Sequence, residues 1–214
     1  MIVAEEVAKI LLKIKAVTLS PNKPYRFVSG ILSPIYTDNR LLMSYPKERQ
    51  KIVKFLVNKI KEKKLKPEVI AGTATAGIPH AAWVADALKL PMVYVRSDVK
   101  DHGKGKEIEG LLEKKQKAVV VEDLISTGGS ALNTAGAIRK HGGKVETIVA
   151  IFDYEMPASV KAFKKFKFKL IPLTTFSILV SVASQKGYLK PKDCKIVFEL
   201  AKDTQGWGKK MGFE

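Results

Sequence analysis

Only one cysteine occurs in the 214 residues, Cys194, so no disulfide can close within the chain. It lies in a helical pattern far from any glycine-rich loop, which argues against a catalytic thiolate. No apolar run approaches the ~18 to 20 residues that span a bilayer. Residues 2–17 mix Glu5, Glu6, Lys9, Lys13 and Lys15 with apolar positions, so they read as an amphipathic helix and not as a secretion signal. A cytoplasmic protein with no membrane partner is expected. Acidic residues are scarce as well, 21 Asp and Glu against 38 Lys and Arg, for a formal net charge of +17. That surplus suits an anionic substrate, a nucleic acid or plain solubility. Arginine is scarce too, at five residues, and no helix-turn-helix extension is evident, so a nucleic-acid partner is not expected. Missing also are Gly-x-x-x-x-Gly-Lys-Ser/Thr and a Gly-x-Gly-x-x-Gly after a strand, the two commonest phosphate loops.

What is present is a globular composition, 46% hydrophobic with a mean hydropathy of −0.03, and a length that suits one α/β domain. The organising stretch is Val119 to Ala131, Val-Val-Val-Glu-Asp-Leu-Ile-Ser-Thr-Gly-Gly-Ser-Ala. A β-branched run leads into Glu122 and Asp123, whose carboxylates can accept hydrogen bonds from sugar hydroxyls. The amides of Ser126 to Ser130 can then turn toward a phosphate, helped by Gly128, Gly129 and the helix N-terminus behind them. A phosphorylated sugar is the ligand this calls for.

Around it, apolar stripes predict a first helix carrying Val3, Val7, Ile10, Leu11, Ile14 and Val17. Residues 25–40 read as two short strands around a turn at Gly30 to Pro34, a small cap. A helix over 46–63 opens with Pro46 and packs by Ile52, Val53, Leu56 and Ile60. Beyond Pro67, strands are predicted at 68–72, 92–96, 117–122, 145–152 and 167–171. Helices are predicted at 79–89, 130–141, 156–165, 176–185 and 191–202. Such β-α-β alternation gives a mostly parallel five-stranded sheet flanked by helices. Phe166, Phe168 and Leu170 alternate with lysines as an edge strand would. Residues 97–116 are a long polar loop, and the tail 206–214 is either docked or frayed.

Two further loops follow predicted strand ends and should meet Glu122 and Asp123 in one crevice. Thr73-Ala74-Thr75-Ala76-Gly77, ahead of the helix that Pro79 opens, presents backbone amides suited to a pyrophosphate. The stretch Arg96 to Lys106 offers Arg96, Lys100 and His102 as cations or proton donors, with Gly103 and Gly105 letting it fold over a reacting centre.

Taken together, Ser-Gly-x-x-Ser-Pro-Ile-Tyr-x-Asp-Asn-Arg at 29–40, Gly-Thr-Ala-Thr-Ala-Gly-Ile-Pro-His at 72–80, Lys-Asp-His-Gly at 100–103, Glu-Asp-Leu-Ile-Ser-Thr-Gly-Gly-Ser at 122–130 and Ala-Ile-Phe-x-Tyr at 150–154 resemble the orotate phosphoribosyltransferases. The resemblance implies a type I phosphoribosyltransferase fold with a small N-terminal hood, in one domain over 1–214: helix and hood in 1–45, core in 46–190, helix and tail in 191–214. It implies transfer of a phosphoribosyl group from phosphoribosyl pyrophosphate (PRPP) to N1 of orotate, with Mg2+ held mainly by PRPP and no direct protein ligand. It implies a homodimer whose catalytic loop acts across the interface. By resemblance the catalytic residues are Lys100, His102 and Asp123. PRPP is bound by Arg96, Lys100, His102, Glu122, Asp123, Leu124, Ile125, Ser126, Thr127, Gly128, Gly129 and Ser130. Orotate is met by Ser126, Tyr36 and Arg40.

Three positions depart from family members: Ser97 stands where many have a second basic residue, Val28 where some have a lysine and Tyr154 in the region where some use an arginine. With Tyr154 there, Arg40 or backbone amides of the hood are the expected partners of the orotate carboxylate. The other readings are a phosphoribosyltransferase for another base and a PRPP-sensing regulator that binds nucleic acid.

Overall fold

Every residue of Val69–Thr73 is buried, as a parallel strand covered on both faces requires. The computed structural model describes residues 2–27, 30–97 and 106–213, and this strand lies at the middle of its sheet. The chain opens with α1 (Val3–Lys13), β1 (Val17–Leu19), β2 (Tyr25–Arg26), β3 (Leu32–Ser33) and β4 (Ile35–Thr37). A 3-10 segment, Asn39–Ser44, then leads to α2 (Pro46–Glu62). Next come β5 (Val69–Thr73), α3 (Gly77–Leu88), β6 (Met92–Val95), β7 (Ile108–Glu109) and β8 (Lys117–Ile125). The remainder is α4 (Gly129–Lys140), β9 (Lys144–Asp153), α5 (Pro157–Phe166), β10 (Lys169–Thr175), α6 (Phe176–Gln185), α7 (Cys194–Lys202) and α8 (Trp207–Lys210).

The main sheet runs in the order β10-β9-β8-β5-β6-β7, parallel throughout except for β7. From β5 the chain first builds outward through β6 and β7, then returns to lay β8 on the opposite side of β5. The carboxyl ends of β5 and β8 therefore diverge at a topological switch point, where an open α/β sheet forms its ligand crevice.

Alternation along the strands divides the core. Val121, Val149, Ile151 and Leu173 face α1, α2, α6 and α7, while Val120, Ile148 and Ala150 face α4 and Phe163 of α5. In α2 the residues Ile52, Leu56 and Ile60 recur every four positions and are fully buried. Each contributes roughly 1.5 to 3 kcal/mol by leaving water. The C-terminal elements join the same core, for Trp207 of α8 is fully buried and its Nε1 donates to the carbonyl of Ile196 at 2.8 Å.

Several expectations are corrected. The sheet has six strands, because Ile108–Glu109 pairs antiparallel with Tyr94 and Val95; two residues are too few for alternation to reveal a strand. Val17 belongs to β1, not to the first helix, which ends where Lys15 takes a left-handed conformation (φ 58°). Residues 25–40 hold three strands: β2 pairs with β3, whereas β4 pairs with β1. Phe166 closes α5 and is half exposed, and the edge strand starts only at Lys169. That strand continues past Pro172 to Thr175, since an edge position spares a proline the missing ladder donor. Pro191 separates a 3-10 turn, Pro191–Asp193, from α7. The tail through Phe213 is docked, with Phe213 stacked on Trp207.

Candidate active site

The last residues of β8 carry the acidic pair. Glu122 and Asp123 are 4% and 8% exposed, so each carboxyl is pushed upward first by loss of water. For Glu122, which rises well above the ordinary carboxylate range, the neighbouring Asp123 charge adds to the effect. The pair is held from two sides: the Asp123 amide donates to Glu122 Oε1 at 3.0 Å, and Asn39 Nδ2 donates to the Asp123 carbonyl at 2.7 Å. Asn39 is itself buried, so the 3-10 segment after the hood anchors directly on the acidic strand end.

Two close approaches bring the loops onto this pair. A Cβ at Gly77, where the Thr73 to Gly77 turn enters α3, would lie 2.7 Å from the Val121 carbonyl and 3.2 Å from Glu122 Oε1. Glycine alone lets α3 start against β8. Gly128 has φ +84°, a left-handed conformation at the head of α4, and a Cβ there would strike Phe163 at 2.7 Å. Thr73 stands beside Glu122, and its buried hydroxyl makes no hydrogen bond of ordinary geometry among the described residues.

Between these loops lies a cleft of about 280 Å³. Ala74, Thr75 and Ala76 form one wall; Glu122, Asp123 and Leu124 form the floor; Ser126 and Ser130 form the other wall. The hood closes it with Thr37, Asp38 and Arg40. Arg40 meets Asp38 through two hydrogen bonds of 2.7 and 3.0 Å, which holds the Asp38 carboxyl below its usual range. Beyond Leu124 and Ser126 a second space of about 230 Å³ continues under the hood, lined by Phe27, Ser33, Thr37 and Tyr154. There the Thr37 and Tyr154 hydroxyls lie 2.9 Å apart, and burial pushes the Tyr154 phenol up to about 12.

The expected site residues fall into distinct places. Glu122, Asp123, Leu124, Ser126 and Ser130 share the cleft with Ala74, Thr75 and Ala76. Thr73, Thr127, Gly129 and Arg96 line an adjoining groove of about 750 Å³ that also touches Ala74 and Ser130. Arg96 pairs there with Glu109 at 3.3 Å. The Ile125 side chain points into the core, leaving its backbone to the site. Tyr36 alternates outward on β4, its ring near Tyr25 and Phe27 and its surface 39% exposed. Lys100, His102, Gly103, Gly105, Val28 and Ser29 lie outside the described residues. Sequence reasoning placed Thr37, Asp38 and Asn39 in the 29–40 hood but gave none of them an individual role. The signal was present in the Tyr-Thr-Asp-Asn-Arg run, where every other residue of a short strand turns inward and the next turn can tie back to the core.

Chemically, the cleft pairs hydrogen-bond acceptors suited to vicinal hydroxyls with amide-rich turns suited to phosphates at both ends. Comparison with known proteins agrees. The phosphoribosyl transferase domain model matches residues 44–186. An orotate phosphoribosyltransferase of Enterococcus faecalis is 53% identical over 97% of this chain and 99% of its own. One from Listeria innocua is 52% identical over 98% and 100%. The crystal structure of an orotate phosphoribosyltransferase from Aeropyrum pernix superposes with a TM-score of 0.69 at 25% identity, covering 85% of this chain and 99% of that one. The six-stranded mixed sheet flanked by helices is thus the type I phosphoribosyltransferase fold, and the chain belongs to the phosphoribosyltransferase family, among the orotate phosphoribosyltransferases.

Proposed function

We propose that this protein breaks the bond between C1 of PRPP and its pyrophosphate and joins C1 to N1 of orotate, releasing pyrophosphate and orotidine 5'-monophosphate for pyrimidine synthesis. The observation that supports this reading is the single cleft of about 280 Å³ that Glu122 and Asp123 share with the Ala74 to Ala76 turn. In it Glu122 and Asp123 accept the ribose hydroxyls, and the amides of Ser126 to Ser130 hold the 5'-phosphate at the head of α4. The Thr73 to Gly77 turn takes the pyrophosphate. Arg96, Lys100 and His102 neutralise charge on the departing group, with His102 as a proton donor to it.

Lys100 and His102 are read as reaching the crevice of a second copy, which makes the working unit a homodimer. The base is read as lying toward the space under the hood, met by Ser126, Arg40 and Tyr36. Tyr154 offers a neutral hydroxyl where a cation would otherwise stand, so Arg40 is the candidate for the orotate carboxylate. Magnesium fits this arrangement chiefly as PRPP's companion. The carboxylates lining the cleft are Glu122, Asp123 and Asp38, and Asp38 is already engaged by Arg40. Most of the ion's ligands would therefore come from substrate oxygens, and bound there it offsets pyrophosphate charge. No helix among the described residues is long and apolar enough to cross a membrane, and we place the enzyme in the cytoplasm.

The decisive experiment follows orotate loss by its ultraviolet absorbance with PRPP and magnesium, in wild type and in Asp123→Asn. Orotate-dependent release of pyrophosphate in the wild type, reduced at least a hundredfold in the variant, is expected. Turnover of adenine, guanine or uracil but not orotate would overturn the assignment of the base.

A further inference from the structure

The opposite end of the sheet carries a second charged hollow that the transfer chemistry does not use. At the amino-terminal ends of β8, β9 and β10, beneath the C-terminal end of α2, lies a groove of about 370 Å³. Lys63 and Lys64 from α2's end and Lys117, Lys144 and Lys169 from the three strand starts line it, against one carboxylate, Glu146. All five lysines are exposed, and among the described residues none of their ammonium groups takes part in an ion pair or a hydrogen bond.

The backbone crowds these charges. Lys117 and Lys144 are direct neighbours in the register of β8 and β9, strands ~4.8 Å apart. Like charges placed side by side across a ladder destabilise it; the Glu68 carboxylate accepts from the Lys117 amide at 2.7 Å, but neither lysine's ammonium is ion-paired among the described residues. Beside them the register steps from Ala118↔Val145 to Val120↔Ile148, so β9 carries one extra residue. Both residues at this bulge, Glu146 and Thr147, line the hollow. Its floor is apolar, formed by Leu65 and Val119.

We propose that this groove is a second anion site and binds the phosphate chain of a small polyphosphate, either free or as the tail of a nucleotide. Its volume is that of a small-molecule site, roughly 300 to 1,000 Å³. No aromatic residue lines it to stack an unpaired base, which disfavours single-stranded nucleic acid. Lysines gathered in a concave site sum their fields where surface lysines scattered on a convex face do not. Being point charges without a planar fork, they select for charge density more than for shape. The nine residues of β8 separate this groove from the catalytic crevice by roughly 25 to 30 Å, so one ligand cannot fill both.

The test titrates the full-length protein with sodium tripolyphosphate by calorimetry, with adenosine triphosphate as a parallel probe. Three proteins are compared: wild type, Lys117→Gln/Lys144→Gln/Lys169→Gln, and the charge-matched control Lys47→Gln/Lys161→Gln/Lys192→Gln. The wild type and the control are expected to show two classes of sites. The groove variant should lose one class, its affinity falling more than tenfold, while transferase turnover and KM stay within about twofold and Tm is maintained. Tighter adenosine triphosphate binding would mean that the base rests on Leu65 and Val119; equal affinity would mean that the phosphate chain alone is recognised. The proposal fails if the groove variant titrates like wild type, or if the control loses binding to the same extent, since net charge alone would then explain it.

Discussion

His80 sits just inside α3 with both ring nitrogens buried and without a partner among the described residues, 5.5 Å from the Trp83 ring. Burial lowers its pKa from 6.5 to about 4, and the Arg49 guanidinium on the far partner, Trp83, offers nothing to a second cation. The folded state therefore binds its proton less readily than the unfolded chain. Above pH 6.5 both states are neutral and nothing is lost; as pH falls from 6.5 toward 4, the unfolded state alone gains the proton and stability declines. With 1.36 kcal/mol per pKa unit, the loss is about 2 kcal/mol at pH 5 and about 3 kcal/mol at pH 4, where it levels off. Replacing the ring with His80→Leu removes this proton linkage and leaves no orphaned acceptor, so the variant should lie within about 1 kcal/mol of wild type at pH 7. Urea unfolding of both proteins at pH 7, 6 and 5 isolates the residue, since every other titrating group is common to the two. Wild type should lose about 2 kcal/mol more than the variant between pH 7 and 5. Parallel pH profiles would refute the claim that His80 is held neutral in the fold.

Other predictions concern the crevice and the tail. Glu122→Gln can keep the 3.0 Å bond from the Asp123 amide while removing a buried charge. Because the folded pKa is raised, the acid's contribution is favourable below about 4.5 and is lost as pH climbs through the folded value. The variant should thus match wild type in thermal stability at pH 4 and exceed it by about 2 to 4 °C at pH 7, on the order of 1 kcal/mol. Its transferase turnover should fall at least tenfold, and a destabilised variant at pH 7 would contradict the sign. Gly77→Ala places a methyl 2.7 Å from the Val121 carbonyl. It should cost about 1 to 3 kcal/mol and raise KM for PRPP more than KM for orotate, whereas equal changes in the two would detach this turn from the pyrophosphate. Trp207→Ala empties a fully buried site and removes the indole hydrogen bond to the Ile196 carbonyl. A loss of about 3 to 5 kcal/mol in urea unfolding is expected, and a loss under 1 kcal/mol would show the tail to be dispensable.

The core was legible in the sequence because its signals are local and strong. Val119 to Val121 is an unbroken apolar run ahead of an acidic pair, and Ile52, Leu56 and Ile60 mark a helix by spacing alone. Gly128 announces the turn ahead of α4 for the same reason, since few other residues tolerate its φ of +84°. What escaped depends on partners distant in the chain. β7 exists because β6 offers it an edge, and β4 turns away from β3 because β1 lies open to it. Asn39 cannot be chosen over its neighbours until its amide is seen on the Asp123 carbonyl, 84 residues away. The Thr37 to Tyr154 contact is likewise invisible to any short window.

The hydroxyl contact between Thr37 and Tyr154 is where the cap meets the sheet, and it divides the labour of the protein. The proposed sugar and phosphate contacts come chiefly from strand ends and turns of the sheet, while the roof above Tyr154 comes from a short stretch that precedes α2. Redesigning that roof offers a way to retarget the enzyme to other heterocycles while leaving its donor machinery untouched.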